Sequence, residues 1–235
     1  MGKSNLLFTL ITLILFSTVF SSCISISRNI KVNSDGTGSE ILNLTFKKEF
    51  YDVMASMTSL MDSTRRQGFL DSLYSDEVFE NKTIEKYDSI QGIKVIDLNT
   101  VMNSDSSKTF TIDYEFDDIK KIGSSLNYIN ENDDKYKTDV IFKEDNGKVT
   151  FLYLYEMKGD DLSEELGDND SLAQKMKLSM AMMFEGGDFD FEVEMPYDVI
   201  STNATEQDGR KLKWHYQMSD IFTKDKISLE AEMQK

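Results

Sequence analysis

The chain has 235 residues, of which 40% are apolar, and its 42 acidic and 26 basic residues give a formal net charge of −16. This length and apolar content are sufficient for the core of one domain. An acidic surface repels nucleic acid and anionic lipid headgroups, so the composition argues against a nucleic-acid-binding protein and against membrane attachment through basic patches.

The first 23 residues contain the longest apolar run of the chain, and the only cysteine ends it. Lys3 precedes the apolar run at 6–20, and two small serine residues separate that run from Cys23. A secretory signal has this order of basic start, apolar core and small residues before the cleavage point. The segment Phe20-Ser21-Ser22-Cys23 resembles the lipobox of bacterial lipoproteins, with Phe20 in place of the usual Leu. The resemblance implies that 1–22 is a lipoprotein signal peptide and that Cys23 is the lipidation site.

Two other features of the sequence support this interpretation. The apolar run is about 15 residues long, whereas a membrane-spanning helix needs about 20, which disfavours a permanent transmembrane anchor. No cysteine follows Cys23, so the exported domain has to be stabilised by its core alone, without disulfides.

Alternating apolar residues after Cys23 predict β-hairpins along much of the chain. Three hairpins are predicted, each given as strand, turn and strand: 24–32, 33–38 and 42–46; 93–101, 103–107 and 110–116; 140–142, 145–147 and 149–155. Apolar residues on both parities of the strand at 149–155 predict a central strand covered on both faces. Further strands are predicted at 189–195, 199–205, 212–218 and 227–233.

Helical spacing of apolar residues separates these hairpins. Helices are predicted at 50–61, 69–87, 119–129 and 172–184. The whole pattern predicts an α+β fold in a single acidic domain at 23–235, a mostly antiparallel sheet built from β-hairpins with Met-rich amphipathic helices packed on one face.

Methionine is unusually frequent, with 13 residues in the chain. Three lie on each of two predicted helices: Met54, Met57, Met61 and Met176, Met180, Met183. Thioether side chains adapt to varied apolar partners, so these six residues are candidates for binding an apolar ligand such as an acyl chain. Ordinary core packing is the preferred explanation of methionines at helical spacing.

Two passages together resemble a known family. The first is the hairpin turn in Ile30–Gly38, directly after the lipobox; the second runs from Phe191 through Pro196 and Asn203 to Trp214. Both are similar to the LppM-type lipoprotein domain, which opens with a hairpin after its lipidated cysteine and closes with a Pro-x-x-Val strand, an Asp-Gly turn and a strand Trp. The resemblance implies a lipid-anchored envelope domain without known enzymatic activity that contacts envelope lipids or glycolipids.

Residues for catalysis or metal binding are sparse. The only histidine, His215, lies between Trp214 and Tyr216 on the opposite parity of a strand, which predicts a solvated side chain. A zinc site of the usual His and Cys composition therefore has no second histidine to use, and a histidine-based triad would depend on this one solvated residue. Three carboxylate pairs alternate with apolar neighbours and indicate a solvated strand face rather than a glycosidase site: Asp113/Glu115, Asp188/Asp190 and Glu192/Glu194. The acidic loop at 160–170, aligned from Asp161, has Leu166 at the sixth position, where an EF-hand has glycine, and no glutamate at the twelfth.

We therefore expect a non-enzymatic lipoprotein, without metal or cofactor, that serves as a binding or structural module. Its expected partners are the membrane, through acyl chains on Cys23, and an envelope lipid or another envelope protein. Ile24 follows the cysteine instead of Asp, which by resemblance to enterobacterial sorting predicts the outer membrane, facing the periplasm, rather than the inner membrane. The alternatives are a carrier or chaperone-like protein that binds lipid between Met-rich helices and the sheet and, more remotely, a carboxylate-dependent glycan hydrolase.

Overall fold

The structure is a computed structural model that describes residues 23–57, 66–68, 70–71, 75–123, 136–157, 184, 186–224 and 226–235. Its strands are β1 (Ile24–Val32), β2 (Gly38–Phe46), β3 (Ile93–Met102), β4 (Lys108–Phe116), β5 (Tyr136–Asp145), β6 (Lys148–Met157), β7 (Asp188–Glu194), β8 (Asp198–Thr202), β9 (Glu206–Asp208), β10 (Lys211–Gln217) and β11 (Lys226–Gln234). Its helices are α1 (Lys48–Met57), α2 (Asp76–Ser89) and α3 (Met218–Thr223), with a 3-10 turn at Ile119–Lys121.

The three predicted hairpins are confirmed as β1–β2, β3–β4 and β5–β6. Each turn contains a residue with positive φ, namely Gly36 at 86°, Ser106 at 66° and Asn146 at 53°. Glycine and asparagine tolerate this backbone region, so the turn residues direct the chain into hairpins. The second hairpin carries a register shift between Val95 and Asp97.

The strands of the described residues form two sheets. The larger sheet has seven strands in the order β3-β4-β2-β1-β7-β10-β9, and the smaller sheet has four in the order β5-β6-β11-β8. All pairs are antiparallel except β1 and β7, which run parallel. An α+β fold with mostly antiparallel pairing fits this arrangement, but the expected single sheet is divided into two.

The core lies between these two sheets. Tyr153 of β6 packs on Phe191 of β7 with ring centroids 4.9 Å apart, and Phe151 of β6 lies 6.4 Å from Trp214 of β10. All four side chains are buried. The predicted central position of β6 is confirmed, since β6 lies between β5 and β11, although Leu152 on its other face is only half-buried.

The described helices pack against strands through aromatic rings. Tyr87 and Phe79 of α2 lie 5.1 Å from Tyr114 and 4.0 Å from Phe110, both on β4. Helix α1 begins next to Phe46, whose ring lies 4.8 Å from that of Phe50. These helices cover part of the larger sheet, but most methionines of the predicted Met-rich helices lie outside the described residues, so the predicted packing of those helices is not shown.

Element boundaries differ from the sequence prediction in several places. Helix α2 begins at Asp76 and continues to Ser89. A 3-10 turn at Ile119–Lys121 lies at the start of the helix predicted at 119–129, whose residues 124–129 are outside the described residues. The helix predicted at 172–184 lies outside the described residues except for Phe184. The sequence analysis did not predict β9 or α3. Strand β8 ends at Thr202 rather than at residue 205, because the side chain of the next residue, Asn203, bonds to β11 instead.

Candidate functional site

Cys23 lies immediately before β1 at one end of the larger sheet. Its side chain is 5% exposed, and its carbonyl oxygen accepts a hydrogen bond of 2.8 Å from the backbone N–H of Lys47. Burial raises the pKa of the Cys23 thiol, and Glu49 adds to this effect while Lys47 opposes it. A thiol with a raised pKa is a weak nucleophile near neutral pH.

The six candidate methionines are mostly outside the described residues. Met54 is half-buried on α1, and Met57 is the last residue of that helix. Met61, Met176, Met180 and Met183 lie outside the described residues. Their proposed role in binding an apolar ligand stays a prediction.

A buried ion pair joins the first two strands. The guanidinium of Arg28 on β1 donates to Glu40 on β2, with Nε 2.5 Å from Oε1 and Nη2 2.7 Å from Oε2. Both side chains are 0% exposed. The pair is bidentate, which is the strongest geometry for an arginine and a carboxylate. Two opposite charges are therefore held inside the core.

Three further groups bind this ion pair and connect it to both sheets. Nη1 of Arg28 donates to the Tyr153 hydroxyl at 3.2 Å, and Nη2 donates to the carbonyl oxygen of Ile122 at 3.0 Å. The Tyr114 hydroxyl on β4 donates to Glu40. Since Tyr153 belongs to the smaller sheet, this network of polar contacts crosses the core. Most donors and acceptors of the network have a hydrogen-bond partner, which reduces the desolvation penalty of burying the two charges.

The pKa values of Arg28, Tyr114 and Tyr153 are all raised in this network. Burial acts to lower the pKa of the Arg28 guanidinium, but the Glu40 carboxylate outweighs this effect and holds that pKa well above its usual value. Burial, with a contribution from Glu40, raises the pKa of Tyr114 well above the usual value, and burial also raises the pKa of Tyr153 against the opposing charge of Arg28. At neutral pH the arginine stays charged and both hydroxyls stay protonated. The arrangement supports a structural role, because the arginine and the two hydroxyls do not exchange protons near neutrality.

His215 is exposed, as predicted, and it contacts two carboxylates of β7. Its Nδ1 lies 2.9 Å from Oδ1 of Asp190, and its Nε2 lies 3.8 Å from Oδ1 of Asp188. The ammonium of Lys213 is 3.5 Å from the same Asp190 oxygen. These four side chains form a charged surface row on the outer face of the larger sheet. Within the described part of the chain, no group of three or more His, Cys, Asp or Glu residues is arranged to hold a metal ion.

The other carboxylate pairs also lie on strand surfaces. Asp113 and Glu115 alternate with the buried residues Ile112, Tyr114 and Phe116 on β4. Partial burial raises the pKa of Asp113, and the negative charges of Asp97 and Glu115 add to this effect. Partial burial, together with repulsion from carboxylates on its own and the neighbouring strand, explains the raised pKa of Asp113 without an active site.

An open groove of about 350 Å³ lies at the end of the larger sheet farthest from Cys23. It is lined mainly by polar side chains: Lys31, Asn33, Thr37, Gly38, Ser39, Glu115 and Phe116. A Cβ atom at Gly38 would lie 2.1 Å from the carbonyl oxygen of Lys31. Because β1 and β2 approach so closely at this point, only glycine fits at position 38. Helix α1, which carries Met54, follows the opposite end of β2, so this groove is not the predicted apolar cavity.

Asn203 links the two sheets within the segment from Phe191 to Trp214, which resembles the LppM-type domain in sequence. Its Oδ1 accepts a hydrogen bond from Nε1 of Trp214 at 2.7 Å and from the backbone N–H of Glu230 at 2.8 Å, and its Nδ2 donates to the carbonyl oxygen of Ser228 at 2.9 Å. Trp214 is 1% exposed. Pro196 follows the end of β7, and its carbonyl oxygen accepts a hydrogen bond from Arg210 at 3.0 Å. The distinctive residues of this segment therefore have structural roles.

The chain resembles a solved structure but no family model or curated protein. No family model matches the sequence, and no curated protein matches it. The chain is similar in structure to the folded domain of LppM from Mycobacterium tuberculosis, solved by NMR, with 12% identity over 91% of this chain and 90% of that chain and a TM-score of 0.44. Among the described residues, no helix is both long enough and apolar enough to span a bilayer.

Proposed function

We propose that this chain is a lipid-anchored lipoprotein of the bacterial cell envelope and acts as a non-enzymatic binding or structural module. The observation that carries the proposal is the position of Cys23. The sole cysteine of the sequence ends its long apolar run, and the first strand begins at the next residue, Ile24. A thiol at the junction of a signal-like segment and a domain is where a lipoprotein is acylated.

The chemistry of the described residues supports a binding or structural role over catalysis. The buried Arg28–Glu40 pair is occupied by contacts within the core, and His215 contacts carboxylates on an exposed strand face. With 16 more negative than positive charges, the domain is repelled by anionic headgroups. Stable attachment to a membrane therefore needs acyl chains, and more than one of them.

The resemblance to the LppM-type domain suggests envelope lipids, glycolipids or another envelope protein as the bound partner. The residue after the cysteine suggests which of the two bacterial membranes carries the protein. Ile24 stands where retention at the inner membrane requires Asp, so the proposed location is the outer membrane, on its periplasmic side.

Replacement of Cys23 by Ser tests the anchor. In a bacterium that processes lipoproteins, we expect the full chain to fractionate with membranes, and we expect Cys23→Ser to be found as a precursor that retains residues 1–22. Metabolic labelling with a palmitate analogue should mark the unchanged chain and not the variant. Ser27→Ala, on the outer face of β1, is the matched control and should be labelled normally. A Cys23→Ser variant that is processed and remains on membranes would exclude the anchor.

The carrier alternative needs an apolar cavity, and nothing in the described part of the chain favours it, since the groove at Gly38 is polar. Native mass spectrometry of residues 25–235 tests it directly. Retention of a phospholipid through desolvation would favour the carrier, and its absence from material purified without detergent would leave the module as the proposed function.

A further inference from the structure

We propose that one end of the larger sheet rests on the bilayer and inserts Val101 and Met102 into it. This membrane end consists of Ile24, Phe46, Val101, Met102 and the turn at 103–107. The inference rests on the proposed acylation of Cys23 and adds the surface that faces the lipid.

The absence of a spacer places the domain against the bilayer. Ile24 directly follows Cys23 and is already paired with Phe46 of β2. The Cys23 carbonyl is bonded to the N–H of Lys47, so the backbone of Cys23 is also held by the sheet. Each extended residue of a linker would add about 3.3–3.6 Å of reach, and here there is none. The space that the Cys23 thiol occupies, 5% exposed, is too small for acyl chains. An acylated Cys23 would therefore direct these chains out of the sheet at the end of β1.

Strand register brings β3 to the same end of the sheet. Ile24 is paired with Phe46, Phe46 with Lys108, and Lys108 with Met102. These four residues form one row across β1, β2, β4 and β3. Neighbouring strands are about 4.8 Å apart, so Met102 lies roughly 14 Å from Ile24, within the area that a domain would rest on.

Exposed apolar side chains occupy this end. Met102 is 62% exposed and Val101 is 44% exposed, and Met102 is the most exposed large apolar side chain in the described part of the chain. At the other end of the same hairpin, Ile93 and Phe116 are buried. An apolar pair exposed beside an acylated residue gains contact with the acyl region of the bilayer, because its apolar surface leaves water.

The charged groups nearest to Val101 and Met102 have partners within the domain. Lys108 is 7% exposed and bonds to Asp76 at 2.6 Å, and Lys48 bonds to Asp52 at 2.6 Å. Asp105 in the adjacent turn accepts hydrogen bonds from the backbone N–H and hydroxyl of Ser107. The two lysines are thus paired with carboxylates, whereas Asp105 keeps its charge and is only hydrogen-bonded. The proposal therefore places the turn of Asp105 among the polar headgroups of a zwitterionic bilayer, with only the side chains of Val101 and Met102 in the acyl region.

A fluorescent depth probe tests this orientation. Met102→Cys and Ser34→Cys are each introduced into the full chain, produced with lipoprotein processing, labelled with bimane and reconstituted in phosphatidylcholine vesicles that contain doxyl-labelled lipid. Ser34 lies in the turn beyond the far end of β1, on the order of 30 Å from Ile24. We expect quenching to be several-fold stronger at position 102 than at position 34. Equal quenching at the two positions would overturn the proposal.

Two measurements on the same samples separate this result from acylation itself. Thiols are counted in denaturant, because the Cys23 side chain is buried in the folded chain. An acylated Cys23 leaves one reactive thiol per chain. An unmodified Cys23 leaves two and the protein does not float with vesicles, and that outcome would overturn both proposals. Insertion of about eight Gly and Ser residues between Cys23 and Ile24 supplies a flexible linker. We expect this variant to float with vesicles and to lose most of the quenching at position 102. Undiminished quenching would overturn the argument that the missing spacer orients the domain.

Discussion

Arg28 and Glu40 carry opposite charges that are fully buried in the core. Removal of one partner leaves a buried charge without its counter-charge, which typically lowers stability by about 3–5 kcal/mol. We expect Arg28→Met and Glu40→Met each to lower the free energy of urea unfolding by that amount. The double variant removes both charges, so we expect it to lose less than the sum of the two single losses. Purely additive losses in this double-mutant cycle would show that the pair has no net coupling.

The same network predicts a loss of stability in alkali. Burial raises the pKa of Tyr114, so the unfolded chain releases this proton at a lower pH than the folded chain does. The stabilisation is complete below the unfolded pKa of about 10 and is lost as the pH rises above it. We expect the free energy of unfolding to fall between about pH 9 and pH 11, and Tyr114→Phe to make that fall less steep. An unchanged slope in this variant would contradict the assignment.

The sequence contains a signal for this network that the pattern analysis missed. Ile24, Ile26, Ile30 and Val32 share one parity of the first strand, and Arg28 occupies the same parity. Glu40 has the same relation to Leu42 on the second strand. One charged residue on the inward face of each strand of a hairpin predicts a buried ion pair. The hydroxyls of Tyr114 and Tyr153 could not be assigned to it, because they belong to strands distant in sequence.

Among the elements, the β1–β2 hairpin depends on one glycine. A Cβ at Gly38 would lie 2.1 Å from the Lys31 carbonyl oxygen and 2.6 Å from the ring of Phe116. The backbone oxygen cannot move without disrupting the strand pair, so we expect Gly38→Ala to lower the free energy of unfolding by about 1–3 kcal/mol or more. Gly68→Ala is the control, because a Cβ there meets nothing within 4 Å. A similar loss at both positions would contradict this explanation.

Asn203 connects elements of the two sheets, and its removal tests that connection. Asn203→Ala leaves the buried indole N–H of Trp214 without its partner, and we expect a loss of about 1–3 kcal/mol in urea unfolding. The fluorescence of Trp214, the only tryptophan, reports on its surroundings and should shift in the folded variant. Asn29→Ala is the matched control, since Asn29 is exposed and bonds to Ser27. If Asn203→Ala leaves both the stability and the fluorescence spectrum unchanged, the proposed connection between the sheets through Asn203 is wrong.

Hairpins were predictable because their turns and strands are adjacent in sequence. The turn at 145–147 and the alternation on either side of it are enough to pair β5 with β6. The parallel pairing of β1 with β7 was not predictable, since it joins Ile26 to Phe189 across 163 positions and leaves no local pattern. The division into two sheets follows from such distant pairings, as does the contact of β11 with both β6 and β8.

At the scale of the whole molecule, the core between the sheets predicts that residues 23–235 unfold as one unit. Leu229 on β11 of the smaller sheet is 1% exposed, and Leu229→Ala typically costs about 2–5 kcal/mol. Trp214 lies on the larger sheet. If the two sheets unfold together, Leu229→Ala should lower the urea midpoint measured by Trp214 fluorescence as much as the midpoint measured by far-UV circular dichroism. Ile200→Ala, at a position 51% exposed on β8, should shift neither midpoint appreciably. A fluorescence midpoint that stays in place while the dichroism midpoint falls would show that the sheets unfold separately, and the chain would then contain more than one domain.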